Sequence, residues 1–165
     1  MAIKFKELQL STKIEVYVSE DELLEEERNL LQLAKQVANK AYAPYSNFYV
    51  GAAVLLENGK IITGNNQENA AYPSGLCAER VALFYASAEY NTTPIKTIAI
   101  TCKSPGKIIE NPVSPCGSCR QSIAEYEDKY KQAIRIIMSG EKGEVYACNS
   151  IADLLPLMFN RNQLV

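Results

Sequence analysis

The sequence predicts a layered α/β fold in which helices cover a β-sheet. Three observations carry that expectation. Strand-like and helix-like runs alternate through the middle of the chain, the pattern of an α/β domain. The length of 165 residues suits one compact domain with one hydrophobic core. The apolar share of 47% is that of an ordinary globular protein, and no stretch approaches the roughly eighteen continuous apolar residues of a membrane helix.

The elements follow in order. Ile14-Glu15-Val16-Tyr17-Val18 alternates and reads as a short strand. Ser19-Glu20-Asp21-Glu22 resembles a capping box with an acidic first turn. After it Leu23, Leu30, Leu31, Ala34, Val37, Ala38 and Ala41 recur at helical spacing. Glu25-Glu26-Glu27 is expected on the solvated face of that helix, without partners. Ala43-Pro44-Tyr45-Ser46 stops the helix, and Phe48 to Leu56 and Ile61 to Thr63 form a hairpin around Glu57-Asn58-Gly59-Lys60. A polar stretch from Gly64 to Ser74 leads to a helix from about Cys77, with Val81, Ala82, Phe84, Tyr85 and Ala88 available for packing. Thr97 to Cys102 is a strand, Ser104 to Pro115 a loop, and a second short helix begins at Cys116. Strands at Ile134 to Met138 and Val145 to Cys148 flank a turn at Gly140 and Gly143, and Ile151 to Leu155 forms a short helix before Pro156. One domain over residues 1–165 is expected, with residues 1–20 as an N-terminal extension.

Composition excludes several classes of function. The net charge is −2 and the basic residues are scattered, apart from Lys103 and Lys107 in one loop; a polynucleotide surface shows a concentrated basic patch. Met1-Ala2-Ile3-Lys4-Phe5-Lys6 is followed by no apolar core of a signal peptide, so export is not expected. Five cysteines is an odd number for a disulfide scaffold and suits a reducing compartment, expected to be the cytoplasm. Cys102 and Cys148 fall in apolar runs and read as small buried hydrophobes. Histidine is absent, so metal ligands must be sulfur or oxygen, and proton transfer falls to a carboxylate.

The chemistry lies in Cys77-Ala78-Glu79 and Pro115-Cys116-Gly117-Ser118-Cys119. Residues i and i+3 share a helix face, and proline suits the start of a helix. The positive end of a helix favours thiolate over thiol. Cys77, Cys116 and Cys119 therefore suit a zinc ion with a fourth position open to water. Three thiolates overcompensate the charge of zinc; Arg80, three residues past Cys77, can donate to sulfur and offset the excess, and Arg120 can do the same. Glu79 can approach the open position and carry protons. Two alternatives stay open on spacing alone: a redox pair of Cys116 and Cys119, and a structural zinc site with Cys102 as its fourth ligand.

Joined with Arg120-Gln121, these motifs resemble the cytidine deaminases, specifically the small form with three cysteine ligands. The likeness runs from about Tyr42 to Phe159. It includes Ala43-Pro44-Tyr45-Ser46-Asn47-Phe48, Val50-Gly51-Ala52-Ala53, Gly64 to Pro73 and Leu154 to Phe159. The resemblance implies a three-layer α-β-α sandwich with a mixed five-stranded sheet and one Zn2+ per subunit. It implies hydrolysis of cytidine and deoxycytidine to uridine and deoxyuridine with release of ammonia, in pyrimidine salvage, by a homotetramer with shared active sites. Asn66 and Glu68 would hold the ribose, Phe48 would flank the nucleoside, and Ala78 and the Cys116 region would offer backbone groups to the pyrimidine. Phe159 would reach the pyrimidine of a neighbouring subunit. Without the resemblance, Asn66 and Glu68 read as turn and surface residues, and Phe48 and Phe159 as packed aromatics. Two features depart from the family: the N-terminal extension, which could cap the fold or alter an oligomer face, and Tyr126, where phenylalanine is commoner.

Overall fold

A computed structural model describes residues 4–164. Six strands form one sheet: β1 (Glu15–Tyr17), β2 (Tyr49–Leu56), β3 (Ile61–Asn65), β4 (Ile95–Lys103), β5 (Arg135–Ser139) and β6 (Val145–Cys148). Their order is β1-β6-β5-β4-β2-β3. The helices are α1 (Glu25–Ala38), α2 (Ala78–Glu89) and α3 (Gly117–Tyr130). Among the described strands only β4 and β5 pair in parallel, and a parallel pair needs a crossover, which α3 supplies.

Alternation along the strands sorts side chains between two helical layers. Ala53 and Leu55 of β2 pack with Leu30, Leu31 and Ala34 of α1. Ala52, Val54 and Leu56 face the other way, toward Ala82, Leu83 and Ala86 of α2 and Ile123 of α3. The result is the expected α-β-α sandwich. Two glycines set how closely the layers approach. A Cβ on Gly51 would stand 2.0 Å from the Ala34 carbonyl oxygen, and one on Gly64 would stand 2.6 Å from both the Ala78 oxygen and the Ala82 nitrogen. Backbone cannot yield as a flexible side chain would. Gly64→Ala is expected to push α2 off β3 and destabilise the fold by about 1–3 kcal/mol; an unchanged urea midpoint would contradict this close-approach argument.

The sheet has six strands where five were expected. The outer edge of β6 would otherwise expose unpaired backbone groups. β1 covers it, pairing Glu15 with Ala147 and Tyr17 with Val145. Glu15–Tyr17 thus caps that edge of the sheet. Arg135 holds it there: the guanidinium pairs with Glu15 at 2.9 Å and with Glu27, and it donates to Tyr17 Oη at 3.0 Å and to Asn149 Oδ1 at 2.7 Å. Glu27 is only 7% exposed, so it leaves the solvated acidic face expected of it. Glu26 also has a partner, Lys96 at 2.6 Å.

Arg135 and Tyr17 hold the Glu15 carboxyl below the usual carboxylate range. A depressed carboxylate stabilises the fold above its unfolded pKa, and that stabilisation is lost as pH falls through the folded value. The stability difference between wild type and Glu15→Gln is therefore expected to be full at neutral pH and to shrink in acid. Equal differences in urea midpoint across that window would refute it.

Several elements differ from expectation. Ser19 Oγ accepts from Asp21 N and caps a separate 3-10 turn over Glu20–Glu22, which ends at extended Leu23; α1 starts only at Glu25. Leu23 is buried, and turning it into the α1 layer interrupts the helix. On α2, Phe84 and Tyr85 are 43% and 57% exposed, and the buried positions are Ala78, Glu79, Ala82, Leu83 and Ala86. Small residues line the buried face because β3 approaches so closely. Finally, α3 is a full helix of 14 residues, and the expected Ile151 helix is a single 3-10 turn, Ile151–Asp153. Tyr126 is partly buried against the core, with Lys129 Nζ 5.9 Å from its ring centroid. No helix among the described residues is long and apolar enough to cross a membrane.

Candidate metal centre and active site

The sheet brings the two cysteine motifs together. β3 and β4 both run antiparallel to β2, and Gly51 lies opposite Asn65 on one side and Thr101 on the other. The two strands therefore end at the same edge of the sheet. α2 and α3 each start beyond one of these ends, with Cys77 and Cys116 as their N-cap residues. Neither cap makes a side-chain hydrogen bond to its helix, so both sulfurs sit at the positive end of a helix with its N–H groups unclaimed by a cap.

The sulfur atoms of Cys77, Cys116 and Cys119 all lie within 4.8 Å of one another. A tetrahedral site with Zn–S bonds of about 2.3 Å separates its sulfurs by about 3.8 Å. The Sγ atoms of Cys77 and Cys116 stand 3.8 Å apart. The donor set and its spacing fit one zinc ion with a fourth position left over. All five cysteines are free. Cys102 stays outside the cluster, and burial pushes its thiol up to about 11, as it does that of Cys148. Both behave as the inert hydrophobes expected, and Cys102 does not close the site as a fourth ligand.

The electrostatics suit bound thiolates. The Cys119 thiol, hydrogen-bonded to Cys77, and the Arg80 guanidinium hold Cys77 down to about 5. Cys119, the other member of that pair, is pushed up. Arg80 Nη2 lies 3.8 Å from Cys77 Sγ. Its Nε is buried with no hydrogen-bond partner among the described residues. Such an orphan donor costs free energy, and it marks a guanidinium held in place for sulfur rather than for solvent. Arg120 behaves differently. Its hydrogen bonds go to Pro115 O at 2.8 Å, Leu154 O at 2.6 Å and Ser114 Oγ at 3.1 Å. Among the described residues none reaches a cysteine sulfur, so its expected contact with the thiolates is not made. The three oxygens lie where its planar fork can reach them together.

Glu79 occupies the first turn of α2 and is only 4% exposed. Burial raises its carboxyl above the usual range, and the neighbouring Cys77 charge adds to the rise. A buried carboxyl held above the usual range beside Cys77 and Cys119 is suited to moving protons.

Beside the cluster lies a cavity of about 500 Å³ lined by Tyr45, Ser46, Asn66, Glu68, Tyr72 and Cys77, among others. A larger one, about 650 Å³, opens at Tyr49, Lys103 and Lys107 but touches no cysteine of the cluster; the chemistry points to the former. Asn66 extends the β2–β3 pairing with its side chain, accepting from Val50 N at 2.8 Å and donating to Phe48 O at 2.9 Å. Glu68 accepts from Tyr45 N at 2.9 Å and from both Ser46 N and Ser46 Oγ. The Ser46 hydroxyl and these amides hold its carboxyl below the usual range. Both residues thus brace the 45–50 segment as well as line the cavity. Phe48 is half-buried and Ala78 fully buried, while Phe159 is 55% exposed; these three are not among the cavity's lining residues. Sequence reasoning gave no role to Tyr45, Ser46 or Tyr72. Tyr45 and Tyr72, both lining the cavity, meet edge-on with ring centroids 6.1 Å apart. Their signal was present, since they fall inside the blocks that carried the resemblance.

Comparison with known proteins agrees with this geometry. The model of the family described as "Cytidine and deoxycytidylate deaminase zinc-binding region" matches residues 24–134. The cytidine deaminase of Sporosarcina psychrophila is 38% identical over 135 residues, covering 82% of this chain and 92% of that protein. The cytidine deaminase of Halalkalibacterium halodurans is 36% identical over 135 residues, with 82% and 95% covered. In three dimensions the crystal structure of cytidine deaminase from Burkholderia pseudomallei is similar with a TM-score of 0.68 and 41% identity, covering 79% of this chain and 97% of that one. Residues 24–134 include all three clustered cysteines and Glu79, and so the chain belongs to the zinc-binding cytidine and deoxycytidylate deaminase family.

Proposed function

We propose that the protein hydrolyses free cytidine and deoxycytidine to uridine and deoxyuridine, releasing ammonia, as a cytoplasmic enzyme of pyrimidine salvage. The observation that carries this is three sulfurs at zinc spacing beside a buried carboxyl, Glu79, at the edge of a nucleoside-sized cavity. Cys77, Cys116 and Cys119 would hold zinc, which supplies a Lewis acid that makes water nucleophilic near neutral pH. Glu79 takes a proton from the attacking water and delivers one to N3 of the ring. As the C4–N bond breaks, Glu79 takes the proton of the new C4 hydroxyl and hands it to the departing amino group, leaving C4=O and N3–H. Water thus replaces ammonia at C4. Arg80 offsets the surplus thiolate charge, and Phe48 and the backbone at Ala78 border the pyrimidine.

Glu68 and Asn66 favour a nucleoside over a nucleotide. The Glu68 carboxyl is held below the usual range, and Arg80, the one cation among the described residues lining the cavity, is directed at Cys77. Among the described residues lining the cavity, a 5′-phosphate would meet the Glu68 carboxylate and no cation other than Arg80. Deoxycytidylate is therefore expected to be turned over at least about a hundredfold less efficiently than deoxycytidine, from roughly 3 kcal/mol of unpaired charge. Following ammonia and product with cytidine, deoxycytidine and deoxycytidylate tests both points. No turnover of either nucleoside by zinc-loaded protein would sink the proposal, and efficient deoxycytidylate turnover would move it to the nucleotide.

Residues 1–165 act as one domain in this reading, with residues 1–20 as an extension. Exposed Phe84, Tyr85, Leu157 and Phe159 support a homotetramer in which Phe159 reaches a neighbour's pyrimidine. A monomer by sedimentation at catalytic concentrations would refute that assembly.

A further inference from the structure

We infer that Arg120 is a positioning residue for the metal centre, acting on Cys116 through the backbone that precedes it rather than on sulfur. The proposal rests on reading the three cysteines as zinc ligands. Cys119 is fully buried in α3, and Cys77 is half-buried, but Cys116 is exposed. Cys116 is also the ligand that ends a long irregular stretch, from Ser104 to Pro115, and its own side chain caps nothing. Burial therefore does least to hold it. The Arg120 guanidinium supplies the missing restraint: it grips Pro115 O at 2.8 Å and Ser114 Oγ at 3.1 Å, the two residues leading into Cys116.

The same guanidinium is itself anchored. Its third bond goes to Leu154 O at 2.6 Å. Leu154 closes a turn on Ile151 at 2.9 Å, and Glu127 of α3 accepts from Ile151 N at 2.9 Å and Ser150 Oγ at 2.9 Å. α3 thus holds the 150–154 turn with Glu127, and that turn fixes the arginine that fixes the Cys116 approach. A planar fork with donors on three nitrogens can bridge all three oxygens at once, whereas an ammonium offers one point of attachment. Partners of this kind around metal ligands typically alter metal affinity or activity by about 10- to 100-fold.

The test compares zinc release from full-length protein to the chromogenic chelator pyridylazoresorcinol. Arg120→Ala is expected to release zinc about 10- to 100-fold faster than wild type, with free guanidinium chloride at low concentration slowing it again. Cobalt-loaded Arg120→Ala should show an altered thiolate-to-cobalt charge-transfer band. Arg161→Ala serves as the control. It breaks another tie between the C-terminal segment and α3, the Arg161–Asp128 pair at 3.0 Å, without touching the Cys116 approach, and should release zinc as wild type does. Should Arg120→Ala fail to fold, Arg120→Lys carries the same comparison. Unchanged release and an unchanged cobalt band in the Arg120 variant overturn the role, as does equal acceleration in Arg161→Ala. Absence of stoichiometric zinc from wild type would instead overturn the metal centre itself.

Discussion

Glu79→Gln is expected to keep a full complement of zinc while losing on the order of 10²- to 10⁴-fold in kcat, the usual contribution of a positioned general acid–base group. Glutamine matches glutamate in size and shape, so the packing under the first turn of α2 is retained. It cannot take up a proton, and with no histidine anywhere in the chain, no second group of that kind can substitute. The loss should fall on kcat more than on KM, because the carboxyl acts as bonds change rather than by holding the nucleoside. Stability should move the other way or not at all. Glu79 is 4% exposed, and burial works against its charged form; a neutral amide removes that cost. Metal content, melting temperature and ammonia release on one preparation check all three. Full activity in the variant would refute the proton-carrier assignment, and loss of zinc would recast Glu79 as a ligand.

Cys119→Ala is expected to abolish both stoichiometric zinc and turnover. Cys119 is fully buried and contributes a sulfur from inside the first turn of α3, so neither water nor another side chain can take its place there. Two thiolates remain, and Arg80, already short of one hydrogen-bond partner, would face them without the ion. Cys102→Ala supplies the contrast. It removes a buried thiol outside the cluster and should keep zinc and activity, at a stability cost of about 1 kcal/mol. Metal analysis of the two variants separates the readings: zinc retained by Cys119→Ala, or lost from Cys102→Ala, would each disprove the three-sulfur set.

Much of the site was legible because its residues are close in sequence or repeat at helical spacing. Cys116 and Cys119 share one helix face by arithmetic, and Cys77, Glu79 and Arg80 share one helical turn. Other expectations depended on partners distant in the chain, and these are where the structure differs. Arg120 follows Cys119 directly, which suggested sulfur as its target. Its actual partners include Leu154, thirty-four positions away. Glu27 looked solvated within a run of glutamates until Arg135 was brought against it. Phe84 and Tyr85 read as available for packing, but Gly64 lets β3 approach closely, and beside Leu83 and Glu79 the buried face of α2 carries only alanines.

By itself, the sequence determined the chemistry on offer: three thiols and a carboxylate with no imidazole, alternating strands and helices, and one core. Those properties follow from residue type and local period, which need no knowledge of partners. Only the tertiary structure decided that β3 and β4 end at one edge of the sheet, which brings Cys77 within 3.8 Å of Cys116. It also decided that Glu15–Tyr17 joins the sheet as a sixth strand and that Arg120 turns away from sulfur to Pro115, Leu154 and Ser114. Each of these depends on which distant segments the sheet register places side by side, and register is a property of the packed whole.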